Sequence, residues 1–324
     1  MPSEFSKAFA LSDNPFSPVR KLAGLVRLAA QDGLERRPLM LNAESALIPL
    51  FSENAGPFGK HLQTFRRRLK QHGYSDNPPS VGVQSHVFTI YGIEGTGKTT
   101  LAQAMIRWLK RCKPDAGNWH VRDELSWRKG RLAAQEIADI EGEYQYIKSD
   151  SQPNTYCCIV LDNLVQEMEQ RAFELYDELA RDRVVFLFLL SNDDRLVPSF
   201  SGKGKQQVEP FWMPPLSADS AVAFVKERVS RFRTDPQSSP PWLGQHALFP
   251  FAEDDIRSAF SSGSILTRVG ANTVAIRDFA VMANRMLAKR LEALDDDFDI
   301  ARQQTMDVSH FVSLSDGYKD LVAA

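Results

Sequence analysis

Cysteine is scarce in this chain, with three in 324 residues, and two of them, Cys157 and Cys158, are neighbours in an apolar run. An adjacent pair on a strand suits neither a disulfide framework nor a metal site, so a reduced compartment is the simple reading. An excess of either charge is missing too: 39 Lys and Arg face 41 Asp and Glu, leaving a net charge of −2. No global positive field draws such a chain to nucleic acid or to an anionic membrane, and any such contact must use a local patch. Long apolar runs are also lacking. The longest, Val184 to Leu190, is far too short to cross a bilayer, and Met1 to Lys7 is not a basic segment followed by an apolar one. The expectation is a cytoplasmic protein with no membrane partner. No repeat of fixed period and no low-complexity tract is present, and 43% hydrophobic residues are enough for two compact units.

Against that plain background one stretch carries chemistry. Gly92-Ile93-Glu94-Gly95-Thr96-Gly97-Lys98-Thr99 follows the apolar run Val87 to Tyr91 and leads into the helix-like Leu101 to Leu109. It has the form of a phosphate-binding loop between a strand and a helix. Glycines let backbone N–H groups wrap phosphates with no Cβ in the way, and the helix that follows turns its positive end toward them. In that form Gly92, Glu94, Gly95, Thr96, Gly97, Lys98, Thr99 and Thr100 line the nucleotide. Lys98 sits on the β- and γ-phosphates, and Thr99 gives its hydroxyl to Mg²⁺, with Thr100 a second candidate one step along.

The remaining chain supplies a parallel sheet. Tyr156 to Leu161 and Val184 to Leu190 are unbroken apolar runs, as strands covered on both faces require. The first ends in Asp162, an acid at the carboxyl end of a strand, where ligands collect in open α/β sheets, and so the second Mg²⁺-associated residue. The other reading of Asp162 is a helix N-cap. The second run ends in Ser191-Asn192, and Asn192 can orient a water beside the γ-phosphate or simply form a turn. Helices are expected over 19–31, 61–72, 128–146, 166–181, 217–232, 253–260, 273–294 and 307–314, a short strand over 119–121 and an edge strand over 208–213 interrupted by Pro210. The expected division is an N-terminal, mostly helical extension over 1–80, a phosphate-loop α/β domain over 81–215 and a helical lid over 216–324. Arg66, Arg67, Arg68 and Lys70 form the most basic cluster, either a contact to DNA or an acidic partner, or a solvated helix face.

This order of features resembles that of the AAA+ ATPases over residues 84 to 293: a P-loop strand and helix, a βα unit, a strand ending in an acid, another ending in Ser-Asn, then a helical lid. The phrases Gly92 to Ala102, Pro215-Leu216-Ser217-Ala218-Asp219-Ser220-Ala221 and Phe249-Pro250-Phe251-Ala252-Glu253-Asp254-Asp255-Ile256 are similar to the origin-recognition-like and the transposition- or secretion-associated branches. The resemblance implies an α/β, three-layer parallel-sheet P-loop NTPase with a C-terminal helical lid, ATP and Mg²⁺ as cofactors, and a nucleotide-dependent homo-oligomer acting on a protein partner or DNA. It puts Asp162 at the Walker B position, Asn192 at sensor 1 and Arg277 at sensor 2, with Arg268 the near competitor and Arg195 in place of an arginine finger. A guanidinium reaching a γ-phosphate would bind two oxygens at once and so report nucleotide state.

Two departures matter. The family usually places Glu directly after the strand-ending Asp as general base, and here Asn163 stands there. An amide is no base near pH 7, although it can hold a water, so hydrolysis is expected to be slow unless Glu94 or Glu167 substitutes. Origin-recognition proteins also continue into a winged-helix DNA reader, whereas about thirty residues follow the lid helix here, so autonomous sequence-specific DNA binding is not expected. Three readings stand: a slow ATPase using nucleotide state to control assembly, a non-hydrolysing nucleotide-gated scaffold or signalling module, and a P-loop small-molecule kinase, which leaves the lid and Ser191-Asn192 unexplained.

Overall fold

Residues 86–91, 156–162 and 184–191 become neighbouring parallel strands, because chains this uniformly apolar need cover on both faces. The computed structural model describes residues 9–11, 15–16, 56–71, 85–112, 119–126, 138, 141–142, 144–145, 148–149, 156–162, 166–181, 184–192, 208–233, 248–261 and 273–292. The helices expected over 19–31 and 307–314 lie outside these residues. Among the described residues, no helix is long and apolar enough to cross a membrane. The chain divides into two compact units, Lys60–Pro214, and Met1–Gly59 together with Pro215–Ala324.

In the first unit the elements run α1 (Gly56–Gln71), β1 (His86–Tyr91), α2 (Lys98–Cys112), β2 (Trp119–Ser126), β3 (Tyr156–Asp162), α3 (Gln166–Leu179), β4 (Val184–Ser191) and β5 (Val208–Trp212). The five strands form one parallel sheet in the order β2-β3-β4-β1-β5. Register is set by the pleat: Val87 pairs with Leu187 and Phe88 with Phe188, so alternate residues share a face. Val87, Cys157, Leu161, Val185, Leu187 and Leu189 pack with Leu175, Tyr176 and Leu179 of α3 on one side. Phe88 stacks on Phe188 on the other, where Phe65 of α1 meets Phe88 at 5.0 Å and Trp108 of α2 at 5.7 Å. The result is three layers, α1 and α2, the sheet, then α3. Both Cys157 and Cys158 are buried free thiols.

Sequence periodicity predicts α1 over 61–72, but it begins at Gly56. Pro57 sits in its first turn, where the missing N–H would have had no acceptor. Strand β2, expected over 119–121, runs to Ser126 with a register shift between Arg122 and Leu125. It lies at the sheet edge, where charged residues and bulges are tolerated and limit further pairing. Pro210 lies in β5, the other edge strand, as a residue with no N–H must.

The second unit contains α4 (Ala218–Phe232), α5 (Glu253–Ser261) and α6 (Ile276–Glu292). Ser217 caps α4, its side chain accepting from the Ser220 N–H, and Glu253, Asp254 and Asp255 face the positive end of α5. Helix α6 starts at Ile276, not at Thr273, because Leu216 and Val274 exchange backbone hydrogen bonds of 2.7 and 3.1 Å. Buried among these helices are Phe9, Leu11 and Phe16 from the start of the chain. Phe16 packs on Phe224 and Phe251, and Phe9 on Phe249. Two arginines of α4 and its cap fix this segment: Arg228 donates to Pro15 O at 2.7 Å and Arg233 to Phe9 O at 2.9 Å. Burial pushes both guanidinium groups down to about 10. They remain charged at neutral pH, which is why carbonyl acceptors are needed beside them.

In the first unit His61 donates from Nε2 to Trp212 O at 2.6 Å and meets the Phe211 ring edge-on. Burial lowers its pKa from 6.5, and the hydrogen bond to Trp212 opposes that only in part. Just below pH 6.5 the folded state therefore binds fewer protons than the unfolded one. The contribution is whole above 6.5 and is lost as pH falls through the lowered pKa. His61→Gln is expected to flatten this part of the stability profile, read as urea midpoints at a series of pH values; a profile as steep as the parent's contradicts it.

Candidate functional site

The site is built where β1 stops. Gly92 continues the ladder on both sides: its N–H donates to Ser191 O at 3.2 Å, and Met213 N donates to Tyr91 O at 2.8 Å. The backbone then leaves the sheet at φ +151°, and a Cβ on Gly92 would stand 2.4 Å from Met213 O. No other residue fits there, because the neighbouring strand's backbone cannot yield. Further along, Gly95 and Gly97 also take positive φ, 83° and 89°. Between them Thr96 is fully buried, and its hydroxyl donates to Ile93 O at 2.9 Å, closing the loop on itself.

Helix α2 begins at Lys98, with Leu101 N donating to Gly97 O at 3.0 Å. The N–H groups of its first turn have no acceptor within the helix and open toward the loop, a geometry that suits an anion. The Lys98 side chain is 6% exposed and turns under the loop. Its ammonium donates to Gly92 O and Ile93 O, both at 2.9 Å, and to Asn192 Oδ1 at 2.7 Å. An ammonium has three donors and no acceptor, so it is the Asn192 oxygen that must face it. The amide NH₂ is then the end of Asn192 that can donate to a phosphate oxygen or a water. Asn192 follows directly on the last residue of β4, and β4 is the neighbour of β1, which is why residues 94 apart meet.

Among the other residues, Thr99 is half-buried, Thr100 buried and Glu94 exposed at the loop tip. Asp162 is the last residue of β3, opposite Ser126 of β2. One strand, β4, separates it from β1, so it stands about 10 Å to the side of the loop at the same sheet edge. Arg277 is the second residue of α6 and belongs to the other unit. The side chains of Asp162, Glu167 and Arg277, and the whole of Asn163, Arg195 and Arg268, lie outside the described residues.

Sequence reading does not find Met213, whose backbone bounds the loop at Gly92. The signal available is the alternation of Phe211 and Met213, both buried, around the exposed Trp212.

The elements thus occur in the order that the sequence resemblance requires: loop strand and helix, acid-ended strand, Asn-ended strand between them in the sheet, then a helical unit. The fold is α/β: a parallel sheet between helical layers, with a glycine-rich loop at the end of β1 leading into a helix. No protein-family model matches the chain, and no curated protein does. Among solved structures it is similar to PCH-2 of C. elegans, at 11% identity and a TM-score of 0.48, covering 82% of this chain and 68% of that one. It is similar also to a single-residue variant of RuvB of Thermotoga maritima, at 14% identity and 0.43, covering 78% and 66%. A third is domain III of the Thermotoga maritima replication initiation protein DnaA, at 12% and 0.38, covering 80% and 92%.

The packing at Gly92 yields a direct check. Gly92→Ala combines a strained φ with a clash against backbone, and is expected to cost about 1–3 kcal/mol or more. Urea unfolding should report this as a lower midpoint with unchanged slope; a midpoint equal to the parent's contradicts the geometry.

Proposed function

We propose that the chain binds Mg²⁺–ATP on the Gly92–Thr100 loop, hydrolyses it slowly, and uses nucleotide state to control assembly with partners. The observation that carries the reading is the Lys98 ammonium, buried beneath the loop and hydrogen-bonded to two loop carbonyls and to Asn192. A phosphate oxygen offers that ammonium a charge-assisted hydrogen bond about twice as strong as one to a neutral carbonyl. Anion binding is therefore an exchange toward stronger acceptors at a place already shaped for it.

The loop residues Gly92, Glu94, Gly95, Thr96, Gly97, Lys98, Thr99 and Thr100 enclose the phosphates in this reading. Thr99 and Asp162 hold the magnesium ion, which supplies neutralisation of phosphate charge when bound. A hydroxyl at the second position of α2 and an acid at a strand end beside it are oxygen donors of the kind magnesium takes. Asn192 positions the attacking water through its amide, and Arg277 brings nucleotide state to the helical unit. Assembly is with further copies of the chain, with a protein partner, or with DNA. The compartment is the cytoplasm.

A second reading is favoured by one residue. Asn163 stands where a catalytic Glu is expected, and an amide cannot take a proton from water near neutral pH. On that reading ATP is held without useful turnover, and the protein is a nucleotide-gated scaffold or signalling module.

Calorimetric titration with Mg²⁺–ATP tests the site. Lys98→Ala removes a charged hydrogen bond worth about 1.5–3 kcal/mol and is expected to weaken binding by about 10- to 100-fold. Unchanged affinity would sink the reading. Phosphate release separates the two forms of it: slow release from the parent, raised by Asn163→Glu by up to about 10²–10⁴-fold, is expected of an ATPase. No release from the parent over many hours is the scaffold's result.

A further inference from the structure

We infer that the solvent-facing side of α1 is a docking surface for the phosphodiester backbone of a nucleic acid. The helix carries Lys60, Arg66, Arg67, Arg68 and Lys70 and not one of the chain's 41 acids. Charge alone is not the argument, since basic helix faces are often merely solvated. The second observation is a concavity lined, among the described residues, by Gln63, Arg66, Arg67, Lys70 and Gln71. All five side chains are N–H donors, and none of the five brings an acid.

Helical geometry explains the selection. At 3.6 residues per turn these five fall within an arc of about 140°, while Arg68 lies roughly 60° beyond its far edge, outside the concavity. The opposite side buries Leu62, Phe65 and Leu69 at 4%, 0% and 1% exposure. Burying these side chains outweighs the weak repulsion between neighbouring like charges on a helix surface. The helix is therefore held in one rotation, with its donor row outward, by Phe65 against Phe88 and Trp108 and by His61 on Trp212.

The row favours a phosphodiester over an acidic protein. From Gln63 to Gln71 it runs about 12 Å, the axial length over which one duplex strand presents three to four phosphates. Guanidinium forks bind phosphate oxygens in pairs, and amide N–H groups donate to them as well. The row contains no acid, whose charge would repel phosphates. The whole chain, at net −2, exerts no global attraction, and binding through phosphates at this helix is expected to be independent of base sequence.

The inference rests on the partner-binding half of the proposed function. It is tested on the full chain without nucleotide, so failure here leaves the Lys98 site untouched, and failure there leaves this surface untouched. Fluorescence anisotropy is measured with a mixed-sequence DNA duplex, the single strand, an RNA duplex and poly-glutamate, over a range of salt. Arg66→Ala, Arg67→Ala and Lys70→Ala together should weaken nucleic-acid binding at least about tenfold at low salt and reduce the salt slope by about 3. Arg68→Ala should leave both nearly unchanged. The exposed Arg67→Glu, with thermal midpoints alongside, gives the same answer if the triple variant unfolds. Tightest binding to duplex DNA, single strand or RNA identifies the source of the phosphates. Equal binding by parent and triple variant, equal loss in Arg68→Ala, or poly-glutamate bound as tightly as nucleic acid would each overturn the inference.

Discussion

A buried ammonium must be surrounded by acceptors, and the site follows from meeting that need at Lys98. Two of the acceptors are carbonyls of the loop itself, which become available only because the backbone at Gly92 turns with positive φ. The third belongs to Asn192 at the end of β4, so the sheet order that places β4 beside β1 is part of the lysine's environment. Met213, the residue after β5, closes the other side by pressing its backbone against Gly92. Three strand ends and one loop thus converge on one charge. Removing the Asn192 oxygen leaves that charge short of one acceptor, at a cost of about 1–3 kcal/mol or more.

The helical unit solves a similar problem with arginine. Arg228 and Arg233 are drawn into a largely apolar unit and discharge their hydrogen bonds onto carbonyls of the chain's first residues, Pro15 and Phe9. The aromatic rings of Phe9 and Phe16 then fill space between Phe224, Phe249 and Phe251. The beginning of the chain is in this way part of the core of a unit whose helices come more than two hundred residues later. Sequence-distant contacts of this kind are costly in chain entropy to form and are retained here by burial of whole aromatic side chains.

How much of this is legible in the sequence depends on range. Uniform apolar runs announce β3 and β4, glycine spacing announces the loop, and Ser217 announces the start of α4, because each signal is local. Asn192 can be singled out as a polar residue ending a buried strand, although its partner Lys98 cannot be read from spacing alone. Met213 against Gly92, and Phe9 and Phe16 among the helices, are products of packing between distant segments and have no local pattern. The extra length of β2 escapes because its charged residues look unlike a strand until the sheet edge is known. Proximity in sequence groups Arg68 with its neighbours, whereas helical rotation separates it from Arg66, Arg67 and Lys70.

Amide hydrogen exchange of the full chain, with and without Mg²⁺–ATP, tests most directly whether the Lys98 loop is the nucleotide's seat. Slowed exchange concentrated in residues 92–101 and at the end of β4 near Asn192 is the result that the account predicts. Unchanged exchange there, or protection that appears only elsewhere in the chain, would contradict it.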